Sequence, residues 1–272
     1  MVMKIQMTQH KEICIADLFE EYFKEYYPLI DIQIKSEISL YKKIRLLIKK
    51  NGEHFIAKCN DALRYAYDTK YGDWDNVNDL RKYYGEDWCS PVRKYFENIE
   101  SYHNVIDIGC NDGRELRDLL SENYSKPKIT LTDISTRAIK KLLQSIVSKH
   151  FEVINESFLD VKIQSNKFNY CISLRTLHGS GMDLDKSISK CYKITKPGGL
   201  ILLSVSNGYT DEFSGQPLKG MYDYATGLID EKKPYEIARK IADKLKEHKA
   251  NGDVLVIEGN SEIFIVAYKN EK

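Results

Sequence analysis

At 272 residues the chain is long enough for one large domain, or for a domain with an appendage. Apolar residues make up 42%, charged residues 30%, and the formal net charge is +1, which excludes a broad basic footprint for nucleic acid or membrane. No apolar run approaches the roughly 18–20 residues of a membrane span, and Met1 to His10 carry no signal-peptide core, so a cytoplasmic protein is expected. The six cysteines (Cys14, Cys59, Cys89, Cys110, Cys171 and Cys191) form no CxxC pair and do not cluster with histidine. They read as reduced thiols, and no metal site is expected.

Residues 1–100 read as helices. Ile13, Leu18, Phe19, Tyr22 and Phe23 fall mostly at helical spacing, and Pro28 ends that helix. Ser36 to Lys50 predicts a second helix closed by Asn51-Gly52, and Phe55 to Tyr67 a third. An aromatic stretch follows, from Tyr65 to Trp74, then Tyr83, Tyr84 and Trp88. It serves either to pack a helical cap on the next domain or as a lid over a ligand. Tyr71 and Trp74 are the most lid-like, because Gly72 and neighbouring aspartates suggest a mobile turn. Pro91 to Tyr102 predicts the last helix of this part.

From Asn104 strands and helices alternate. Strands are expected at 104–108, 128–132, 151–154, 168–174 and 200–205, with helices at 113–122, 136–149, 183–195 and 234–248. Lys196-Pro197-Gly198-Gly199 reads as a stop and turn. The segment 206–232 is too long for an ordinary connection and is expected to be functional. Two final strands, 253–258 and 263–268, joined by Gly259-Asn260-Ser261, form an antiparallel hairpin. The fold class is therefore α/β: a doubly wound, mostly parallel seven-stranded sheet with an antiparallel last strand and a reversed edge, plus an N-terminal helical cap.

The chemistry centres on Asp107-Ile108-Gly109-Cys110-Asn111-Asp112-Gly113. A buried strand, a glycine turn and a helix start make a nucleotide-binding unit, because the glycines let a ligand approach the backbone and the helix start offers free N–H groups. The GxGxxG dinucleotide fingerprint is absent, since Asn111 stands at its middle glycine. Asp133 ends the second strand and faces the ribose of a nucleoside over the turn; its alternative role is to cap the next helix. Asn155 to Asp160 end the third strand, where a polar side chain and a backbone amide can hydrogen-bond an adenine edge, with Phe158 against the ring.

These motifs, with Lys196-Pro197-Gly198-Gly199-Leu200, resemble those of the class I S-adenosylmethionine (SAM)-dependent methyltransferases over roughly residues 100–272. The resemblance implies a Rossmann-like methyltransferase fold, in which the closing hairpin supplies the reversed seventh strand. It implies domains at 1–100 (helical cap) and 101–272, with a substrate-capping insertion at about 206–232. It also implies SAM as cofactor and S-adenosylhomocysteine (SAH) as product. The implied cofactor residues are Asp107, Gly109, Cys110, Asn111, Gly113, Asp133, Ile134, Ser157, Phe158 and Leu174. At the fourth strand end, His178 can take a proton from the nucleophile or merely shape the pocket. Arg175 can hold an anionic group of substrate or cofactor, or form a structural salt bridge. Tyr71, Trp74, Asn207, Tyr209 and Tyr222 are expected acceptor contacts. The expected reaction is methyl transfer to O or N of a small molecule. The alternatives are a peptide or RNA acceptor, the latter through Lys42, Lys43, Arg45, Lys49 and Lys50, or a non-catalytic SAM-binding subunit.

Overall fold

The computed structural model describes residues 15–30, 40–74, 84–85, 87–145, 150–177, 183–210, 217–219, 234–248 and 251–270. Its centre is a seven-stranded sheet. In chain order the strands are β1 (Asn104–Ile108), β2 (Lys128–Thr132), β3 (Phe151–Ile154), β4 (Phe168–Ser173), β5 (Thr195–Ser206), β8 (Asn251–Glu258) and β9 (Glu262–Tyr268). Two short strands, β6 (Gly208–Thr210) and β7 (Pro217–Lys219), pair separately. The sheet order is β3-β2-β1-β4-β5-β9-β8. The first five run parallel, and β9 lies antiparallel between β5 and β8. The reversed strand is thus last in sequence but second from the edge, because the hairpin inserts its later strand next to β5.

Burial on both faces explains the apolar composition of β1, whose last four residues are all buried. Alternation sends Val105 into one core and Ile106 and Ile108 into the other. The first core is closed by α5 (Arg114–Leu120), α6 (Thr136–Ser145) and the segment around Trp88, Val92 and Phe96. The second is closed by α7 (Leu184–Ile194) and α8 (Pro234–Glu247). The helices α1 (Ile15–Tyr26), α2 (Leu40–Asn51) and α3 (Phe55–Trp74) build a third core around Phe19, Phe23 and Phe55, and Ile134 joins it from the sheet side.

Several elements differ from expectation. Helix α3 continues through Gly72 to Trp74, so Tyr71 and Trp74 lie in its last turn rather than in a separate mobile turn. The helix expected at Pro91–Tyr102 shrinks to α4 (Ser90–Arg93) and one 3-10 turn, Lys94–Phe96. There the Asn123 side-chain amide takes the Phe96 carbonyl at 3.2 Å, and the chain turns into β1. Trp88, Val92, Phe96 and Ile99 have helical spacing because all four fill the first core. The Lys196–Gly199 turn signal lies inside β5, whose pairing with β4 shifts register there. Gly198 absorbs that kink with φ 72°. Five cysteines (59, 89, 110, 171 and 191) are buried free thiols. Among the described residues no helix is long and apolar enough to cross a membrane, and no group of three or more metal-ligating side chains exists.

Candidate functional site

The turn after β1 has left-handed backbone at Gly109 (φ 70°), Asn111 (φ 53°) and Gly113 (φ 78°). Asn tolerates that conformation better than most side chains, so the turn closes without the middle glycine. The Gly109 and Cys110 N–H groups both donate to the Thr132 carbonyl, at 2.7 and 3.0 Å, and Gly113 N–H donates to the Cys110 carbonyl at 2.8 Å. A Cβ on Gly109 would stand 2.2 Å from Thr176 Cγ2. The position is therefore closed to other residues by both conformation and space.

Asp133 faces this turn from the end of β2. Its Oδ2 accepts the Asn111 N–H and its Oδ1 the Ser135 N–H, each at 2.8 Å. A carboxylate has about four acceptor directions, so it retains capacity for a further donor beside the N–H groups of Asn111, Ser135 and Ile134. The Asn111 Oδ1 is also buried and has no donor partner among the described residues. Asn155 clamps the same loop. Its Nδ2 donates to the carbonyls of Asp133 (2.9 Å) and Ile134 (3.1 Å), and its Oδ1 accepts from Thr136 Oγ1 at 2.9 Å.

Three carboxyl groups interact around the turn. Asp107 is 2% exposed; burial, then Glu115 and Asp133, hold its carboxyl well above the ordinary range. Burial, then Asp112, pushes Glu115 up to about 7. Burial raises Asp133 to about 6, although the Ser135 and Asn111 N–H groups favour its charged form. Three carboxyl groups that resist ionisation together form a site whose charge balance improves when a cation enters. Sequence reasoning missed Glu115; its only signal was a carboxylate in the first turn of α5, two residues after Gly113.

The remaining expected residues divide. Leu174 is buried in the first core beside the turn. Ser157 is half-buried and its carbonyl accepts the N–H groups of Asp160 (2.9 Å) and Val161 (3.2 Å). Phe158 lies in the second core at 2% exposure, with Lys190 Nζ 4.7 Å from its ring centre, so its ring serves packing. Arg175 ion-pairs with Glu262, which is fully buried, and donates to the Ser261 carbonyl at 2.8 Å. Its guanidinium lies 3.8 Å from the Tyr84 ring centre. The geometry is that of the salt-bridge alternative. Asn207 is buried, with its N–H on the Ser261 carbonyl at 2.8 Å. Tyr209 lies in β6. The side chains of Tyr71, Trp74 and Tyr209, and all of His178 and Tyr222, lie outside the described residues.

A cleft of about 1420 Å³ separates α2 and α3 from the loop after β3 and from α7. Ser157 is the expected cofactor residue that lines it, together with Ile48, Leu63, Val161 and Lys190.

This sheet order is that of the Rossmann-like methyltransferase fold. A SAM-dependent methyltransferase from Aquifex aeolicus superposes with a TM-score of 0.54 at 16% identity, over 74% of this chain and 98% of that one. Phosphoethanolamine N-methyltransferase 2 of Haemonchus contortus, in complex with SAM, gives 0.52 at 17%, over 78% and 60%. A Burkholderia thailandensis 1,6-didemethyltoxoflavin-N1-methyltransferase with SAH gives 0.50 at 13%, over 76% and 87%. Residues 106–203 match the family model described as a methyltransferase domain. No curated protein matches the chain in sequence. The chain therefore has the fold that these SAM-dependent methyltransferases share, and its residues 106–203 are similar to a methyltransferase domain.

Proposed function

We propose that the protein transfers the methyl group of SAM to an oxygen or nitrogen of a small-molecule acceptor. The observation that carries this reading is Asp133, held by backbone N–H groups with acceptor capacity to spare. In this reading the carboxylate accepts from the ribose hydroxyls, and Ile134 and Ser157 border the adenine, with Phe158 packed beneath. Asn111 Oδ1 offers a further acceptor, and the residues present fit the cofactor's donors. Asp107 and Glu115 supply anionic charge toward the ammonium and sulfonium end, and Gly109, Cys110, Gly113 and Leu174 shape the surface beneath it.

The bound cofactor supplies an electrophilic methyl on a good leaving group. The protein's task is then to align the acceptor, exclude water and accept a proton. We assign proton acceptance to His178, which follows Leu177 beyond β4. Arg175 belongs to the same segment and holds its start against β9 through Glu262. Residues 1–100 form a cap on the 101–272 domain; Tyr71 and Trp74 from that cap, and Asn207, Tyr209 and Tyr222 from the 206–232 insertion, border the acceptor.

Two of the similar structures carry names that specify small acceptors, phosphoethanolamine and 1,6-didemethyltoxoflavin, which supports the acceptor class. An RNA acceptor is the second reading: on α2, Lys43 is buried against Glu20, whereas Arg45, Lys49 and Lys50 are exposed. Calorimetric titration tests the cofactor site: the wild type binds SAM and Asp133→Ala does not. No binding by the wild type refutes the reading. A screen of hydroxyl- and amine-bearing small molecules for SAH release then tests the acceptor class.

A further inference from the structure

Helix α3 does more than pack against α1 and α2. Asn60, Arg64 and Asp68 are spaced by four residues, so they share one face of the helix. Each makes a hydrogen bond to a loop that leaves the sheet at the cofactor end. Asn60 Nδ2 donates to the Asp160 carboxylate, in the loop after β3. Arg64 Nε donates to the Ile134 carbonyl at 3.3 Å, in the loop after β2. Asp68 Oδ1 accepts both the Ser135 hydroxyl (2.7 Å) and the Arg137 N–H (3.0 Å).

The Asp68 contacts lead directly to Asp133. Arg137 N–H belongs to the first turn of α6, where backbone donors have no partner within the helix. Ser135 Oγ accepts the Ala138 N–H of the same turn at 3.1 Å. The Ser135 N–H in turn holds Asp133 Oδ1 at 2.8 Å. Asp68 therefore completes a cap that fixes Ser135, and Ser135 fixes the orientation of the Asp133 carboxylate. The helix that carries Asp68 ends one to two turns later at Tyr71 and Trp74.

We propose that α3 is the outer wall of the adenosyl site, and that Asp68 is a positioning residue that aims Asp133 at the cofactor ribose through Ser135. The proposal rests on the SAM-binding reading and deepens it, because it makes the N-terminal helices part of the cofactor site as well as a cover for the acceptor. Cofactor affinity then depends on the docking of α3. The contact between Asp68 and the Asp133 loop also transmits charge: Asp133 is faced by Asp68 from α3, by Asp107 from β1 and by the Cys110 thiol from the turn.

The test is calorimetric titration of the full chain with SAH, for wild type, Asp68→Ala and Asp68→Asn, with thermal melting of each protein. Asp68→Ala should raise Kd about tenfold, the scale of losing a hydrogen bond to a charged group. Asp68→Asn should rescue binding near neutral pH, because its amide oxygen accepts the same two donors. Asp68→Asn should also move the pH below which SAH binding weakens downward, because one anion near Asp133 is gone. A lower melting temperature for Asp68→Ala with unchanged Kd overturns the proposal. So does an Asp68→Asn variant that binds as weakly as Asp68→Ala, or one whose pH profile matches the wild type. If Asp68→Ala fails to fold, the Asp68→Asn pH profile decides alone. A wild type that binds no SAH refutes the cofactor reading as well, whereas normal wild-type binding with an unaffected Asp68→Ala refutes only this one.

Discussion

Replacing Arg175 by Met separates its two roles. The side chain ion-pairs with Glu262, which is 0% exposed, and lies 3.8 Å from the Tyr84 ring centre. Removing one partner of a buried ion pair costs about 3–5 kcal/mol, because the other charge stays buried without that cation. Loss of the guanidinium–ring contact adds roughly 1 kcal/mol. Met inherits the left-handed backbone of Arg175 (φ 53°), so no strain is relieved. The expected loss is about 4–6 kcal/mol, a large part of a typical domain stability of about 5–15 kcal/mol. Adding Glu262→Met should recover most of it, since an apolar pair of similar volume replaces a buried ion pair at little cost. Urea titration followed by circular dichroism measures both variants and, with Glu262→Met alone, yields the coupling energy. A single variant within about 1 kcal/mol of wild type, or a double variant no more stable than the single, refutes the reasoning. An Arg175 that anchors an acceptor anion instead gives a single variant of wild-type stability with lost turnover.

Gly109→Ala should cost about 2–4 kcal/mol, combining left-handed strain with displacement of Thr176, whose Cγ2 would lie 2.2 Å from the new Cβ. Chemical denaturation checks this, and Gly109→Ala with Thr176→Gly should regain the steric part only. Stability should also depend on pH through Glu115 and Asp133, raised from 4.5 to about 7 and from 3.8 to about 6. Across that range the folded chain binds more protons than the unfolded chain, so these groups lower apoprotein stability as pH rises from about 4 to about 7. A cationic cofactor favours the ionised carboxylates, so the melting-temperature increment from SAM should grow over the same interval; an increment larger at the acid end contradicts the site. With an acceptor in hand, His178→Ala should lower kcat by about 10²–10⁴ while calorimetry shows SAM affinity retained. An equal kcat removes His178 from proton transfer.

What was legible in the sequence was local. β1 is buried on both faces and so reads as an apolar run, and its glycine turn and Asp133, 20 residues after Gly113, lie within one βαβ unit. Spacing carries such information because neighbours in space are neighbours in the chain. The missed features join distant segments. Glu262 lies 87 residues from Arg175, and Asp68 lies 67 from Ser135. Neither pairing has a period, so either arginine role fitted the sequence until β9 was placed beside β5. The end of α3 failed for a related reason. Gly72 and its aspartates resemble a turn by composition, yet the helix runs through them to Trp74. Asn60, Arg64 and Asp68 show the same ambiguity from the other side. A polar stripe with a period of four is what a solvated helix face looks like. Only its hydrogen bonds to the loops after β2 and β3 show that this one is an interface. Helix α3 is therefore where sequence pattern and structure diverge most, and it is the element that joins the expected acceptor residues to the carboxylate expected to hold the ribose.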